Sequence, residues 1–371
     1  MKQLHWYEFE QVKEVDSPAL IIYSDRVVQN ISLLKRIVKD ASQLRPHVKT
    51  SKIREVVQLM MAQGITKFKC ATIAEAEMLA ACGARDVLLA YQPTEIKLQR
   101  FIALVKNFPR TNFACLVDNS ASAHLFAQKA AEAKITLHVY LDLNVGMNRT
   151  GIVPGEAALA LYDAIAAMPP LKLSGLHAYD GHIEDLEVEK RKKHCEACFS
   201  AVEHMRESLQ RKGYEFPLLV AGGSPTFPFH AQRKQVEVSP GTFIFWDKGY
   251  TDHLPDMPFL FAVLVLTRVV SLPAENKVCI DLGHKSIASE NDLQHRVYFL
   301  NAPNAKPVSH SEEHMVIDAG PGHGLAPGDL LYAVPYHVCP TVALYDHAVC
   351  VTGGKIDTTW EVIARNRKIS F

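Results

Sequence analysis

Eight short apolar runs, most of them followed by an amphipathic stretch, fill the first two-thirds of the chain: "QLRPHV", "KFKCAT", "DVLLAY", "NFACLVD", "LHVYLDL", "LKLSGLHA", "FPLLVAGG" and "QVEVSP". The stretches between them, such as "KIREVVQLMMAQG" and "TIAEAEMLAACG", read as helices that end at Gly64 and Gly83. Glycine is the usual residue just past a helix end. Strands that alternate with helices must pair in parallel, because a parallel partner needs a crossover. Eight such units over roughly 200 residues predict an α/β fold, a (β/α)8 barrel, in preference to an open doubly wound sheet. No strand is followed by G-x-G-x-x-G, and the late run "GPGHG" (320–324) reads as a loop.

After residue 256 the texture changes. "FLFAVLVLTRVVSLP", "KVCIDLGH", "HMVIDAG", "DLLYAVPYHVCPTVALYD" and "HAVCVTGGKIDTTWEVIA" are strand-like and broken by Pro, Gly and Asn turns. The expected division is a barrel over 20–256 and a second, mostly antiparallel β domain over 257–371 without helices. The N-terminal residues 1–19 and the run "SPALIIYS" add to the second domain.

Composition narrows the function. Forty basic residues balance forty acidic ones, so no global field exists to hold nucleic acid or an anionic membrane. The longest apolar run, "MPFLFAVLVLT", is too short to span a bilayer. The first residues lack the apolar core of a signal peptide. Eight cysteines, most in apolar surroundings, suit buried thiols in a reducing compartment. The expectation is a cytoplasmic, water-soluble protein acting on a small molecule.

In a barrel the chemistry lies at the C-terminal ends of the strands. Lys49 follows the first strand, Asn148 and Arg149 the fifth, and His177, Tyr179, Asp180 and His182 the sixth. Gly222, Gly223 and Ser224 follow the seventh, and Gly241 and Thr242 the eighth. Singly, each has a plain structural explanation; together they put a lysine, an arginine, two histidines and two Gly-plus-hydroxyl turns on one rim. Glycines let backbone N–H groups approach an anion, and Ser or Thr adds a hydroxyl donor. The loops after strands seven and eight commonly cradle phosphate. A phosphate cup on the same rim as a lysine suggests pyridoxal phosphate, whose aldehyde condenses with the amine.

The motifs "RPHVKTSK", "MNRTG", "GLHAYDGH", "AGGSPT" and "SPGTFIFWD" resemble the alanine-racemase-like, fold-type III pyridoxal-phosphate enzymes, within them the D-threonine aldolase and D-serine dehydratase group. The resemblance spans nearly the whole chain. It implies that Lys49 is the Schiff-base lysine, that Arg149 contacts the cofactor phenolic oxygen, and that Tyr179 lies near the ring. It also implies that Gly222, Gly223, Ser224, Gly241 and Thr242 hold the phosphate, and that the protein is a homodimer. One departure is Ser51, where the group would have a histidine.

In "PYHVCPTVALYD", His337 and Cys339 lie two apart, and on a strand both would face one way. The resemblance makes them ligands of a divalent metal. Two protein ligands leave positions for water and substrate. A cysteine favours zinc, as in the dehydratase members, where aldolases often carry an aspartate that suits manganese or magnesium. The expected reaction is aldol cleavage of a D-β-hydroxy-α-amino acid to glycine and an aldehyde, with His182 as first candidate base and His177 as second. A D-serine dehydratase, in which Lys49 removes the α-proton, uses the same parts. An amino-acid racemase or a non-catalytic pyridoxal-phosphate carrier are further alternatives. Cys195 and Cys198 form a lone C-x-x-C, read as structural, and His310 and His314 read as solvated.

Overall fold

A computed structural model describes residues 5–371. It divides into two compact units, one comprising residues through Leu33, Thr50–Val56 and Thr242–Arg365, the other Leu34–Lys49, Val57–Gly241 and Asn366–Phe371.

The chain opens with β1 (Ala19–Tyr23) and α1 (Ser24–Val38), then α2 (Arg54–Ala62), β2 (Lys67–Cys70), α3 (Ile73–Ala81), β3 (Asp86–Leu89), α4 (Glu95–Asn107), β4 (Asn112–Val117) and α5 (Ser120–Ala133). It continues through β5 (Leu137–Leu143), α6 (Glu156–Ala166), β6 (Leu171–Ala178), α7 (Val188–Arg211), β7 (Leu219–Ala221), α8 (Phe227–His230) and β8 (Val236–Val238). Strands β2 to β8 form one parallel sheet in sequence order. Caps punctuate it locally: the Thr72 side chain accepts from the Glu75 N–H, and that of Asn119 from Ser122, starting α3 and α5.

The run "QLRPHV" is not a full strand. Pro46 has no N–H to donate, so a ladder cannot run through it. Residues 44–48 instead make single parallel bridges to both edges of the sheet, Leu44 to Val238 and His47 to Lys69. The Arg45 N–H donates to the Val238 carbonyl at 2.9 Å, and the Val48 N–H to the Lys69 carbonyl at 3.0 Å. These bonds supply the eighth staff of the barrel. Inside the ring pack Leu88, Ala114, Leu116, Tyr140 and Val220.

Arg45 is 1% exposed and lies in the closing segment. Its Nε donates to Glu237 Oε2 at 2.6 Å and its Nη1 to Asp86 Oδ1 at 2.5 Å, joining β8 to β3. Lys67 holds the other Glu237 oxygen.

The other unit adds α9 (Lys248–His253), β9 (Val263–Ala274), β10 (Lys277–Ile280), β11 (Val297–Phe299), β12 (Lys306–His310), β13 (Met315–Asp318), β14 (Leu330–Pro335), α10 (Val338–Leu344), β15 (His347–Thr352) and β16 (Lys355–Glu361). Its nine-stranded sheet runs β12-β13-β10-β9-β1-β15-β16, with β14 pairing both β9 and β11. β1 enters antiparallel to β9 and parallel to β15, so "SPALIIYS" does supply a strand here. Ile21, Tyr23, Leu264, Leu266, Tyr332 and Val334 form its core.

Two expectations fail in this unit. It contains short helices, and "VCPTVAL" is one of them, so His337 and Cys339 are not on a strand. Pro340 explains the difference: it cannot donate to a ladder but is tolerated in the first turn of a helix. His310 is also not solvated; it is half-buried, with its ring edge-on to that of His284 at 4.3 Å between centres and its Nδ1 3.0 Å from Arg296 Nη1. Among the described residues no helix is long and apolar enough to cross a membrane.

Replacing Arg45 by Met is expected to destabilise the protein by about 3–5 kcal/mol, because two carboxylates lose their buried partner. Urea unfolding checks this, and adding Glu237→Gln should recover part of the loss. A wild-type midpoint in Arg45→Met would show that the ion pairs do not hold the ring.

Candidate active site

The barrel unit carries most of the residues singled out from the sequence. Lys49 follows the closing segment; its side chain is exposed, and its N–H donates to His47 Nδ1 at 3.2 Å. At the end of β6, His177 is 3% exposed and its Nδ1 lies 2.6 Å from Asp142 Oδ1, at the end of β5. Their backbones are paired in the sheet, which fixes the contact. Burial pulls the His177 imidazole below its ordinary value, and Lys69 adds to this against the opposing Asp142 charge. Burial works against ionisation of Asp142, but His177 outweighs it and holds the carboxyl below its usual range. The second nitrogen of His177, Nε2, is buried and has no hydrogen-bond partner among the described residues.

Lys69 was not singled out from the sequence. It sits on β2, 4% exposed, with its Nζ 5.5 Å from the centre of the Tyr179 ring. Burial pulls its ammonium down to about 7; Asp142 and Asp180 oppose the fall, while Lys49 and Arg149 add to it. The exposed Arg149 guanidinium lies 5.0 Å from the same Tyr179 ring. A lysine between Phe68 and Cys70 on a parallel strand was the available signal, since such strands are buried on both faces.

The glycine turn after β7 is shaped by what surrounds it. Gly222 has φ +78°, and a Cβ there would lie 3.0 Å from both Phe227 Cα and the His230 ring. A Cβ on Gly223 would lie 3.2 Å from the Tyr179 ring. The Gly223 carbonyl accepts from the Phe227 N–H at 3.0 Å, opening α8. Asp180 supports this turn from beneath: its Oδ2 is 2.8 Å from His230 Nε2, and its Oδ1 accepts from the Gly223 N–H at 3.4 Å. Ser224 is buried, as is Gly241. Ser239, in the turn after β8, has a buried hydroxyl with no partner among the described residues.

His182 follows on the loop after β6. Its Nε2 is 3.6 Å from Cys198 Sγ, and its ring is edge-on to that of His194.

The β-rich unit holds Thr242, His337 and Cys339. His337 is the residue before α10 and Cys339 lies in its first turn. Burial lowers the His337 imidazole, but the Cys339 thiol and Glu290 outweigh it and raise it to about 9. Glu290 Oε1 is the direct partner of His337 Nδ1. Cys339 Sγ lies 3.1 Å from Thr50 Oγ1 and 3.7 Å from Thr242 Oγ1. Asp247 fixes the start of α10, because its Oδ2 accepts from the Val338 N–H at 3.0 Å. Burial pushes the Asp247 carboxyl up to about 6. Glu290 and Asp247 lie 47 and 91 positions away from His337 and Val338, so no spacing in the sequence announces them. Ser51 is 1% exposed, with its hydroxyl unpartnered among the described residues.

These residues fit both implied groups. The glycine cradle, the orphaned Ser239 hydroxyl and the orphaned His177 nitrogen suit a phosphorylated aromatic cofactor. An imidazole whose Nδ1 is held by a carboxylate, next to a thiol, has the donor chemistry that a divalent metal requires.

A parallel barrel carrying a lysine and a phosphate-type turn, joined in one chain to a β-rich unit, is the architecture of fold-type III pyridoxal-phosphate enzymes. The family model for the alanine racemase N-terminal domain matches residues 22–248, and the chain belongs to that family. A model described as "Putative serine dehydratase domain" matches residues 262–351. The chain is 27% identical over 364 residues to a D-threonine aldolase from Arthrobacter sp, covering 96% of this chain and 94% of that one. The structure of a D-threonine aldolase from Filomicrobium marinum aligns with TM-score 0.87 at 27% identity, over 95% of this chain and 97% of that one. A D-threo-3-hydroxyaspartate dehydratase from Delftia sp. (strain HT23) is 24% identical over 380 residues, covering 94% of this chain and 97% of that one.

The His177–Asp142 pair predicts an acid limb in stability. Both groups have folded-state values below their unfolded ones, so the unfolded chain takes up protons first. The contribution of His177 is complete above about pH 6.5 and is lost as pH falls below it; that of Asp142 is lost below about pH 4. The difference in melting temperature between the protein and His177→Gln should therefore shrink from pH 7 to pH 5. A difference independent of pH would contradict a neutral buried imidazole.

Proposed function

We propose that this protein is a metal-assisted, pyridoxal-phosphate-dependent lyase that cleaves D-β-hydroxy-α-amino acids to glycine and an aldehyde. The carrying observation is the barrel rim, where an orphaned buried imidazole and a glycine cradle occur in a chain similar over nearly its whole length to D-threonine aldolases.

Lys49 would hold the cofactor as a Schiff base, with Arg149 at its phenolic oxygen and Tyr179 near its ring. Gly222, Gly223, Ser224, Gly241 and Thr242 would hold its phosphate. The cofactor, when bound, supplies an electron sink for the pair left on Cα when the Cα–Cβ bond breaks. His337 and Cys339 would hold a divalent ion, whose Lewis acidity would polarise the substrate β-hydroxyl. His182, or His177 through its free Nε2, would take the β-hydroxyl proton, so that the C–O bond becomes the aldehyde carbonyl as Cα–Cβ opens. Asp142 would keep His177 in the tautomer with Nε2 free. Asp247 and Glu290 would orient His337.

Cys339 favours a second reading. Thiolate suits zinc, and the similarity to a dehydratase extends over 94% of the chain. A D-threo-3-hydroxyaspartate dehydratase with a cysteine replaced has been solved in a metal-free form, with TM-score 0.81 and 23% identity to this chain. In this reading Lys49 takes the α-proton and the β-hydroxyl leaves, giving a 2-oxo acid and ammonia. Both readings suit a cytoplasmic homodimer, for which size-exclusion chromatography is the check.

Incubation with pyridoxal phosphate, a divalent metal and D-threonine distinguishes the two. Glycine with acetaldehyde establishes the aldolase, and 2-oxobutyrate with ammonia the dehydratase. Unchanged D-threonine removes that substrate and raises the carrier and racemase readings. The Lys49→Ala variant should lose the absorbance near ~420 nm expected of Lys-bound pyridoxal phosphate. His337→Ala should keep that band and lose metal-dependent turnover; full activity after chelation would sink the metal assignment.

A further inference from the structure

The "HCEAC" segment of α7 puts three potential ligands on one helix, and they point to different neighbours. Cys195 is fully buried, with its Sγ 3.3 Å from His230 Nε2. That nitrogen is already 2.8 Å from Asp180 Oδ2. An ion among these three would have to break a direct hydrogen bond in a site with no exposed member, so this group reads as packing that supports the glycine turn.

His194 and Cys198, four positions apart, share a face of α7. Cys198 Sγ lies 3.6 Å from His182 Nε2, and the rings of His182 and His194 meet edge-on with centres 5.7 Å apart. One donor atom from each of the three residues lies within 4.8 Å of the others. In a tetrahedral zinc site, bonds of about 2.0–2.3 Å put donors roughly 3.3–3.8 Å apart, so the Cys198–His182 separation is already at that spacing. His194, 43% exposed, can close the remainder by side-chain rotation.

Two further features fit an ion at this place. Asp185 Oδ2 is 2.8 Å from His194 Nδ1, the carboxylate–histidine arrangement that leaves Nε2 free as the ligand atom. Position 146 is a glycine beside His182: a Cβ there would lie 2.7 Å from His182 Nε2 and would crowd that nitrogen.

We infer that His182, His194 and Cys198 form a second metal site, taking a zinc-class divalent ion on two imidazoles and one thiolate with one position open to solvent. Two nitrogens and a sulfur select zinc over magnesium or manganese. The site lies within the barrel unit and does not depend on the lyase reading. If His182 binds the ion, His177 is left as the base in that reading.

The test is metal stoichiometry on the full chain, stripped with chelator and refilled with Zn²⁺ or Co²⁺ alone. A His337→Ala/Cys339→Ala variant removes the other candidate ligands; it should retain about one Zn²⁺ per chain and, with Co²⁺, a thiolate-to-metal charge-transfer band. Adding Cys198→Ala or His194→Ala should abolish both, and Cys198→Ser serves if the alanine variant fails to fold. Loss of all metal in the His337→Ala/Cys339→Ala variant, or retention of it after Cys198→Ala, overturns the site. A single bound ion that is lost with Cys198→Ala and unaffected by His337→Ala would leave this site standing while removing the metal from the proposed lyase.

Discussion

A buried guanidinium holds the barrel closed. The segment that joins β8 to β2 carries a proline and makes only isolated bridges, so its backbone alone is a weak seam. Arg45 strengthens it by binding Glu237 on the last strand and Asp86 on the second strand of the sheet. Such a cluster is expensive to desolvate and is tolerable only because both carboxylates and Lys67 are engaged together. Lys49 lies four residues further along the same segment. The backbone that carries the candidate Schiff-base lysine therefore leaves a segment anchored by charges that take no part in the chemistry.

Within the barrel unit, the electrostatics near Tyr179 follow from crowding. Lys69 is buried on a strand with Lys49 and Arg149 as repelling neighbours, and Asp142 and Asp180 as attracting ones. Each carboxylate also has a fixed imidazole partner, Asp142 with His177 and Asp180 with His230. The result is a buried lysine brought near neutrality beside two carboxylates held below their usual range. That property is common at functional sites, because low dielectric and neighbouring charge act together.

The same economy governs the histidines and cysteines. Asp180, His230 and Cys195 are fully enclosed, and their bonds to one another brace the Gly222–Gly223 turn. His337 and Cys339 stand at a helix start, with Glu290 and Asp247 fixing their approach. His182, His194 and Cys198 are partly exposed, joined only by a long Cys198–His182 contact and an edge-on meeting of the two rings. Burial, not residue type, separates structural from ligand-like clusters here.

Much of this was legible in the sequence. Alternating apolar runs and helical stretches determined a parallel barrel, because period and crossover length leave few other arrangements. The rim residues Lys49, Arg149, His177 and Tyr179 follow from strand ends, and the Gly-plus-hydroxyl turns from their composition. Other features depend on tertiary structure. Pro340 turned an apparent strand into a helix start, since no local pattern says whether an apolar run will find a ladder. Lys69, Glu290 and Asp247 draw their roles from partners brought together by folding, and Cys195 and Cys198 diverge only because one helix face meets the barrel and the other meets the His182 loop. Periodicity is a local property and the sequence by itself determined the elements and their order; which charges and thiols face each other is a property of packing, and only the tertiary structure decided it.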